Sequence, residues 1–326
     1  MHGVVSSGIA LPLALLTWLG RQGTLAVAIS LALGTVMPSS LGAALKPHLS
    51  GAVFLLLAIA FLRMDTTALK GYLHRPLLVL AVLCWTSLII PLAIGGLGLA
   101  LELDQRSTPL FLGILLQAVA SPIMSAPALA ALMGMESTLI LITLVLSTGL
   151  VPLTAPLFAH FFAGSALFIP PLALAAQLAA ILGGAALVGL LVRRRFSLPL
   201  IRRYSLPLDG LNIIILFIFA AAIMENVGRQ LLSAPLYFVL TSALAMLVFF
   251  SILISTLLVF LPSGRGRALG LAFMTSNRNM GLMLAATGGV VPELTWLYLA
   301  VSQLPIYCSP HLLKLVARRF PSLGRS

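Results

Sequence analysis

Thr275-Ser276-Asn277-Arg278-Asn279-Met280-Gly281 interrupts an apolar segment that runs from about Leu269 to Val291. A charge at the centre of a membrane helix costs about 2.5–3.5 kcal/mol on insertion scales. An arginine therefore persists there only where it faces a watery cavity, a partner or a substrate. The first half of the chain holds a second interruption, Ser121-Pro122-Ile123-Met124-Ser125-Ala126-Pro127, inside another apolar segment. One broken segment in each half is the pattern that points to the binding site of a secondary transporter.

Working outward, hydrophobic residues make up 60% of the chain and charged residues 8%, against about 25% charged in a soluble domain. The chain reads as a polytopic membrane protein. Windows of about 20 apolar residues give ten candidate spans, at 22–38, 47–64, 76–100, 109–133, 136–162, 168–192, 207–225, 233–260, 268–290 and 292–317. With the N-terminus placed inside, all but four of the 19 Lys and Arg fall on the cytoplasmic side. Lys46, Arg106 and Arg229 fall outside, and Arg278 lies in the membrane. That asymmetry predicts a multi-pass protein of the inner (plasma) membrane with both termini cytoplasmic. The net charge of +12 sits in short loops, with no basic stripe or stacking aromatics, so nucleic acid is not an expected partner. Residues 1–21 form an N-terminal segment. Its apolar part, Ile9 to Gly20, follows no Lys or Arg and precedes no Ala-x-Ala site. This predicts an interfacial helix or an extension of the first span, not a cleaved signal peptide.

Five spans per half make the second half run opposite to the first. The expected fold is all-α, with two inverted five-helix repeats over 22–162 and 163–318 and a cytoplasmic tail at 319–326. The interrupted fourth and ninth spans hold matching places in the two halves.

Three local motifs resemble the bile acid:sodium symporter family, within the wider bile, arsenite and riboflavin transporter group. Ala120-Ser121-Pro122 followed by Ser125-Ala126 stands where the family has Cys-Pro-Gly-Gly-Thr-Ala-Ser-Asn. Leu146-Ser147-Thr148 with Pro152-Leu153-Thr154-Ala155-Pro156 resembles its Ser-Thr-x-x-x-Pro-Leu-x-Thr-Pro. Asn279-Met280-Gly281-Leu282 resembles its Asn-Ser-Gly-Leu. The resemblance implies a core domain (spans 3–5 and 8–10) and a panel domain (spans 1, 2, 6 and 7) that rock against each other. It also implies broken fourth and ninth helices crossing at mid-membrane, with substrate in the crevice beside the crossing.

Several positions depart from the family. Its Ser-Asn in the fourth span is Pro127-Ala128 here, its Glu-x-x-x-Gln in the ninth is Met274 and Arg278, and its fifth-span hydroxyls fall on Leu141 and Val145. Carried over residue by residue, the sodium ligands are gone, and sodium coupling is not expected.

Each candidate side chain has two readings. Arg278 either pins the crossing through helix-terminal carbonyls or binds an anion with its planar fork. Thr275, Ser276, Asn277 and Asn279 either satisfy backbone freed by the break or touch substrate. Ser121 and Ser125 either cap half-helices or line a cavity. Gln117 and Gln303 either join helices or face the substrate. Pro122 and Pro127 are expected to break the fourth span. Cys84 and Cys308 read as inert thiols, and the histidines form no metal-ligand cluster. No catalytic triad, phosphate loop or paired acid and base can be assembled at membrane depth, so neither enzyme activity nor a cofactor is expected. The functional expectation is a secondary carrier of small organic anions working by alternating access. Its rivals are a permease exporting metalloid oxyanions or other solutes, and a membrane sensor without transport.

Overall fold

A computed structural model describes residues 4–64, 76–133, 135–164, 167 and 169–309. Residues 65–75 and 310–326 fall outside the described residues, and with them Lys70, Arg75 and the expected 319–326 tail. The described chain is almost wholly helical and contains no strand. In chain order the main helices are α1 (Val4–Arg21), α2 (Gly23–Val36), α3 (Ser39–Arg63), α4 (Pro76–Ala100), α5 (Thr108–Val119), α6 (Ala126–Leu132) and α7 (Ser137–Ala163). They continue as α8 (Pro171–Arg195), α9 (Leu198–Arg203), α10 (Ser205–Ile223), α11 (Pro235–Phe260), α12 (Arg265–Ser276), α13 (Met280–Ala286) and α14 (Glu293–Val301), with 303–309 helical beyond it. Six of them (α3, α4, α7, α8, α10 and α11, the last with its 3-10 extension to Ser263) are long and apolar enough to cross a membrane. That marks the chain as a membrane protein. The segments expected at 109–133 and 268–290 are each split in two.

The chain divides into two compact units, Met1–Met64 with Ile181–Ser233, and Asp65–Ala180 with Ala234–Ser326. Helix α8 starts in the second and ends in the first.

In the first unit, α1, α2 and α3 all pack on α10. A Cβ on Gly20 would lie 2.1 Å from the Leu206 carbonyl oxygen, and one on Gly210 would lie 2.0 Å from that of Leu16. The two backbones therefore touch directly, which only glycine allows, and the pairing runs antiparallel. Gly34 of α2 meets Ala220, so α2 runs parallel to α10 and the chain reverses at Gln22. This corrects the expectation for residues 1–21. The segment does not prolong the first span, because Gly20 and Gly210 let α1 fold back along α10. Helix α3 is antiparallel to α10, tied by Lys46–Glu225 at 3.0 Å near one end and Arg63–Asp209 at 2.5 Å near the other.

In the second unit, α5 packs between α7 and α14. Gly98 at the end of α4 makes room for the Phe111 ring, and Gly113 does the same for Tyr298. The Trp85 indole donates to the Thr256 hydroxyl at 2.9 Å, linking α4 to α11.

Candidate functional site

The two breaks meet. Pro122 ends any continuation of α5, because it lacks an N–H and disfavours helical backbone at Ser121. Ala120 is already extended (φ −62°, ψ 149°). On the other strand, α12 stops at Ser276, and Asn277 and Asn279 both leave the helical region. Pro122 and Arg278 then pair as an antiparallel bridge. The Ile123 N–H donates to the Asn277 carbonyl at 2.8 Å, and the Asn279 N–H donates to the Ser121 carbonyl at 2.7 Å. Backbone groups freed by each break are satisfied by the other, as apolar surroundings require.

Most of the polar residues in the ninth-span break serve the backbone. Asn279 caps α13, its Oδ1 accepting from the Leu282 N–H at 3.0 Å. Asn277 donates through Nδ2 to the Phe273 carbonyl at 2.7 Å and accepts at Oδ1 from the Ser309 hydroxyl at 3.0 Å. Ser276 returns its hydroxyl to the Phe273 carbonyl at 3.2 Å. The Thr275 hydroxyl stands 3.5 Å from that of Thr86. Pro127, expected to break the fourth span, instead sits in the first turn of α6. No N–H is needed there, so the ring starts that helix. Ser125 precedes it, exposed and making no side-chain cap.

Arg278 is 1% exposed. Its Nη1 donates to the Ala120 carbonyl at 2.7 Å and its Nη2 to the Thr86 carbonyl at 3.3 Å. Both acceptors are predisposed. Ala120 closes the C-terminal end of α5, where carbonyls lack helical partners and the dipole is negative. Thr86 lies in a π-helical turn, Trp85–Ile89, in which the Ile90 N–H bonds back to Trp85. The next bond in that register would run from residue 91 to Thr86, and Pro91 has no N–H. The π turn and the proline together leave the Thr86 carbonyl for the guanidinium. Sequence reading missed this partner; its signal was a Thr-Ser pair inside α4 with a proline five residues after the threonine.

Among the described residues no carboxylate pairs with Arg278, and its Nε–H has no acceptor. Five other buried groups among the described residues of this unit are also left over: the amide nitrogens of Gln117 and Gln303, and the hydroxyls of Ser121, Thr148 and Ser242. Gln117 is held by Tyr298, fully buried, whose hydroxyl donates to Gln117 Oε1. Thr295 joins the same two helices by donating to the Pro109 carbonyl at 2.6 Å. Tyr298 was not a sequence candidate, since a lone tyrosine in an apolar run carries no signal of its own.

Where the resemblance would seat sodium, Met274 presents a thioether 3.2 Å from the Thr143 hydroxyl. Thr143 also bonds back to the Leu139 carbonyl at 2.8 Å. Leu141 and Val145 bring no side-chain oxygen, and among the described residues no cluster of His, Cys, Asp or Glu could hold a metal. No protein-family model matches the chain, and no curated protein matches it either.

Proposed function

We propose that this protein is a secondary transporter of small organic anions that works by alternating access. The observation carrying the reading is a buried, acid-free arginine at the meeting of two broken helices, in a unit whose other unpartnered polar groups are two amide nitrogens and three hydroxyls, each able to donate. Removing an ion from water costs several kcal/mol unless it is paired, and an uncompensated guanidinium among spare N–H groups favours a carboxylate or similar anion. The motif resemblance supports ten spans in inverted halves, and the two compact units divide the helices much as its panel and core would.

In this reading Arg278 stands in for the charge that sodium brings to relatives, so coupling to sodium is lost. Gln117, Gln303 and Ser121 supply neutral donors to the substrate, while Asn277, Asn279, Ser276 and Thr275 shape the crossing. The arginine-rich end of the first unit faces the cytoplasm.

The test is uptake of a labelled organic-anion library into proteoliposomes, with a sodium gradient, a proton gradient or neither. Saturable uptake of at least one anion class in the absence of sodium is expected. Failure of every anion to be taken up or to bind would remove the proposal.

A further inference from the structure

The cytoplasm-facing reading explains why arginines gather at one end of the first unit, but not why several of them find no protein partner. The end is built from α1, α3, α8, α9 and the start of α10. Gly20 brings the last turn of α1 onto Leu206, placing Arg21 beside the start of α10. Arg63, ending α3, is tied there to Asp209 and to the Ser205 carbonyl at 2.8 Å. Arg193 of α8 donates to the Met64 carbonyl. Asp209 and Glu225 are the described acids of this unit. The first is taken by Arg63, and the second pairs with Lys46 at the opposite end of α10. Arg194, Arg195, Arg202 and Arg203 remain exposed, without hydrogen bonds or ion pairs among the described residues.

Large apolar side chains stand exposed among them. Trp18 is 61% exposed, Phe196 45% and Tyr204 40%. The Arg195 guanidinium lies over the Phe196 ring, 5.8 Å from its centre. Aromatic rings beside basic residues at the end of a membrane helix match the headgroup layer, where the ring enters the acyl boundary and the cation meets phosphate. A free phosphate ion would use the arginines and leave the rings in water. We propose that this end of the first unit, around Arg194, Arg195, Arg202 and Arg203, is a binding site for the phosphodiester headgroup of an anionic phospholipid. The site belongs to the first unit and the helix crossing to the second, and the proposal does not depend on transport.

The experiment follows the melting midpoint of the full chain in neutral detergent as short-chain phosphatidylglycerol is titrated in. The midpoint should rise and saturate with phosphatidylglycerol, and stay put with phosphatidylcholine or with inorganic phosphate at equal concentration. Basic residues near a membrane surface contribute about fivefold each to binding anionic lipid. R194Q/R195Q/R202Q/R203Q should therefore raise the half-saturating phosphatidylglycerol fraction at least tenfold, and R202Q/R203Q should fall between. R106Q/R265Q, changed in the other unit, should behave as the parent. An equal shift with phosphatidylcholine, an equal shift with phosphate alone, or an unchanged lipid response in both arginine variants would each overturn the assignment. The two-residue variant keeps the test decisive if the fourfold one does not fold.

Discussion

Arg278 and Ala120, 158 positions apart in sequence, are joined by a 2.7 Å hydrogen bond from the guanidinium to the last carbonyl of a half-helix. One side chain thus closes the negative end of the first broken segment while belonging to the second. The same group keeps a spare N–H, which the proposed function assigns to an anion.

Replacing that arginine should separate the two roles. Arg278→Gln is expected to weaken anion binding at least tenfold, about 1.4 kcal/mol. It should also lower stability by about 1–3 kcal/mol for each carbonyl left bare. Arg278→Lys should recover part of both, since an ammonium cannot span two acceptors as a planar fork does. Binding and melting measured on equal amounts of folded protein decide the matter. Parental affinity in a folded Gln variant would leave the arginine a purely structural tie.

Sodium should be dispensable. The positions where the resemblance would seat sodium hold Met274, Leu141, Val145, Pro127 and Ala128, none with a side-chain oxygen. Uptake is expected to be the same in sodium and in choline media. A fall to background in choline would show a site of another composition.

The proline in α4 should matter through the carbonyl it leaves free. Pro91→Ala supplies an N–H that competes with Arg278 for the Thr86 oxygen, loosening one of its two tethers. Anion affinity is expected to drop about fivefold, the value of one modest hydrogen bond of about 1 kcal/mol. Folding should be preserved. Titration of the variant against the parent checks this, and unchanged affinity would mean that the Ala120 tether alone fixes the guanidinium.

Tyr298→Phe should cost about 1–3 kcal/mol of stability, because it strips Gln117 of its buried partner. Gly113→Ala should be comparably harmful, since the added methyl would sit 2.9 Å from the Tyr298 ring, an overpacking penalty of about 1–3 kcal/mol. Thermal melts of the two variants give the comparison.

Gly210→Ala tests the folded-back first helix. Its Cβ would lie 2.0 Å from the Leu16 carbonyl oxygen, which is backbone and cannot rotate away. Helix α1 should lift from α10, with a loss of about 1–3 kcal/mol and faster proteolysis after Arg21. A variant as resistant as the parent would show that α1 does not rest on α10.

The breaks were legible because polar residues and proline within an apolar run leave backbone that only a special arrangement can satisfy. The register of their pairing was not, since Ser121 and Asn279 become neighbours only through tertiary structure. Pro127 was misread as a breaker because sequence alone does not show where a half-helix starts. The reversal of α1 was hidden for a similar reason: Gly20 and Gly210 are ordinary small residues until the two helices are brought together. The Thr86 tether required a π register, which no local propensity announces.

The exchange of backbone bonds between the two breaks also sets a schedule for biogenesis. Ser121 leaves the ribosome long before Asn279 exists, and 158 residues separate the bonded pair around Ala120 and Arg278. At about 5–20 residues per second the interval is roughly ten to thirty seconds. Through that time the nascent fourth segment holds an unpaired amide and carbonyl that hydrocarbon does not tolerate. It must therefore wait at the insertion machinery or beside water, and the crossing is completed only after most of the chain has been made.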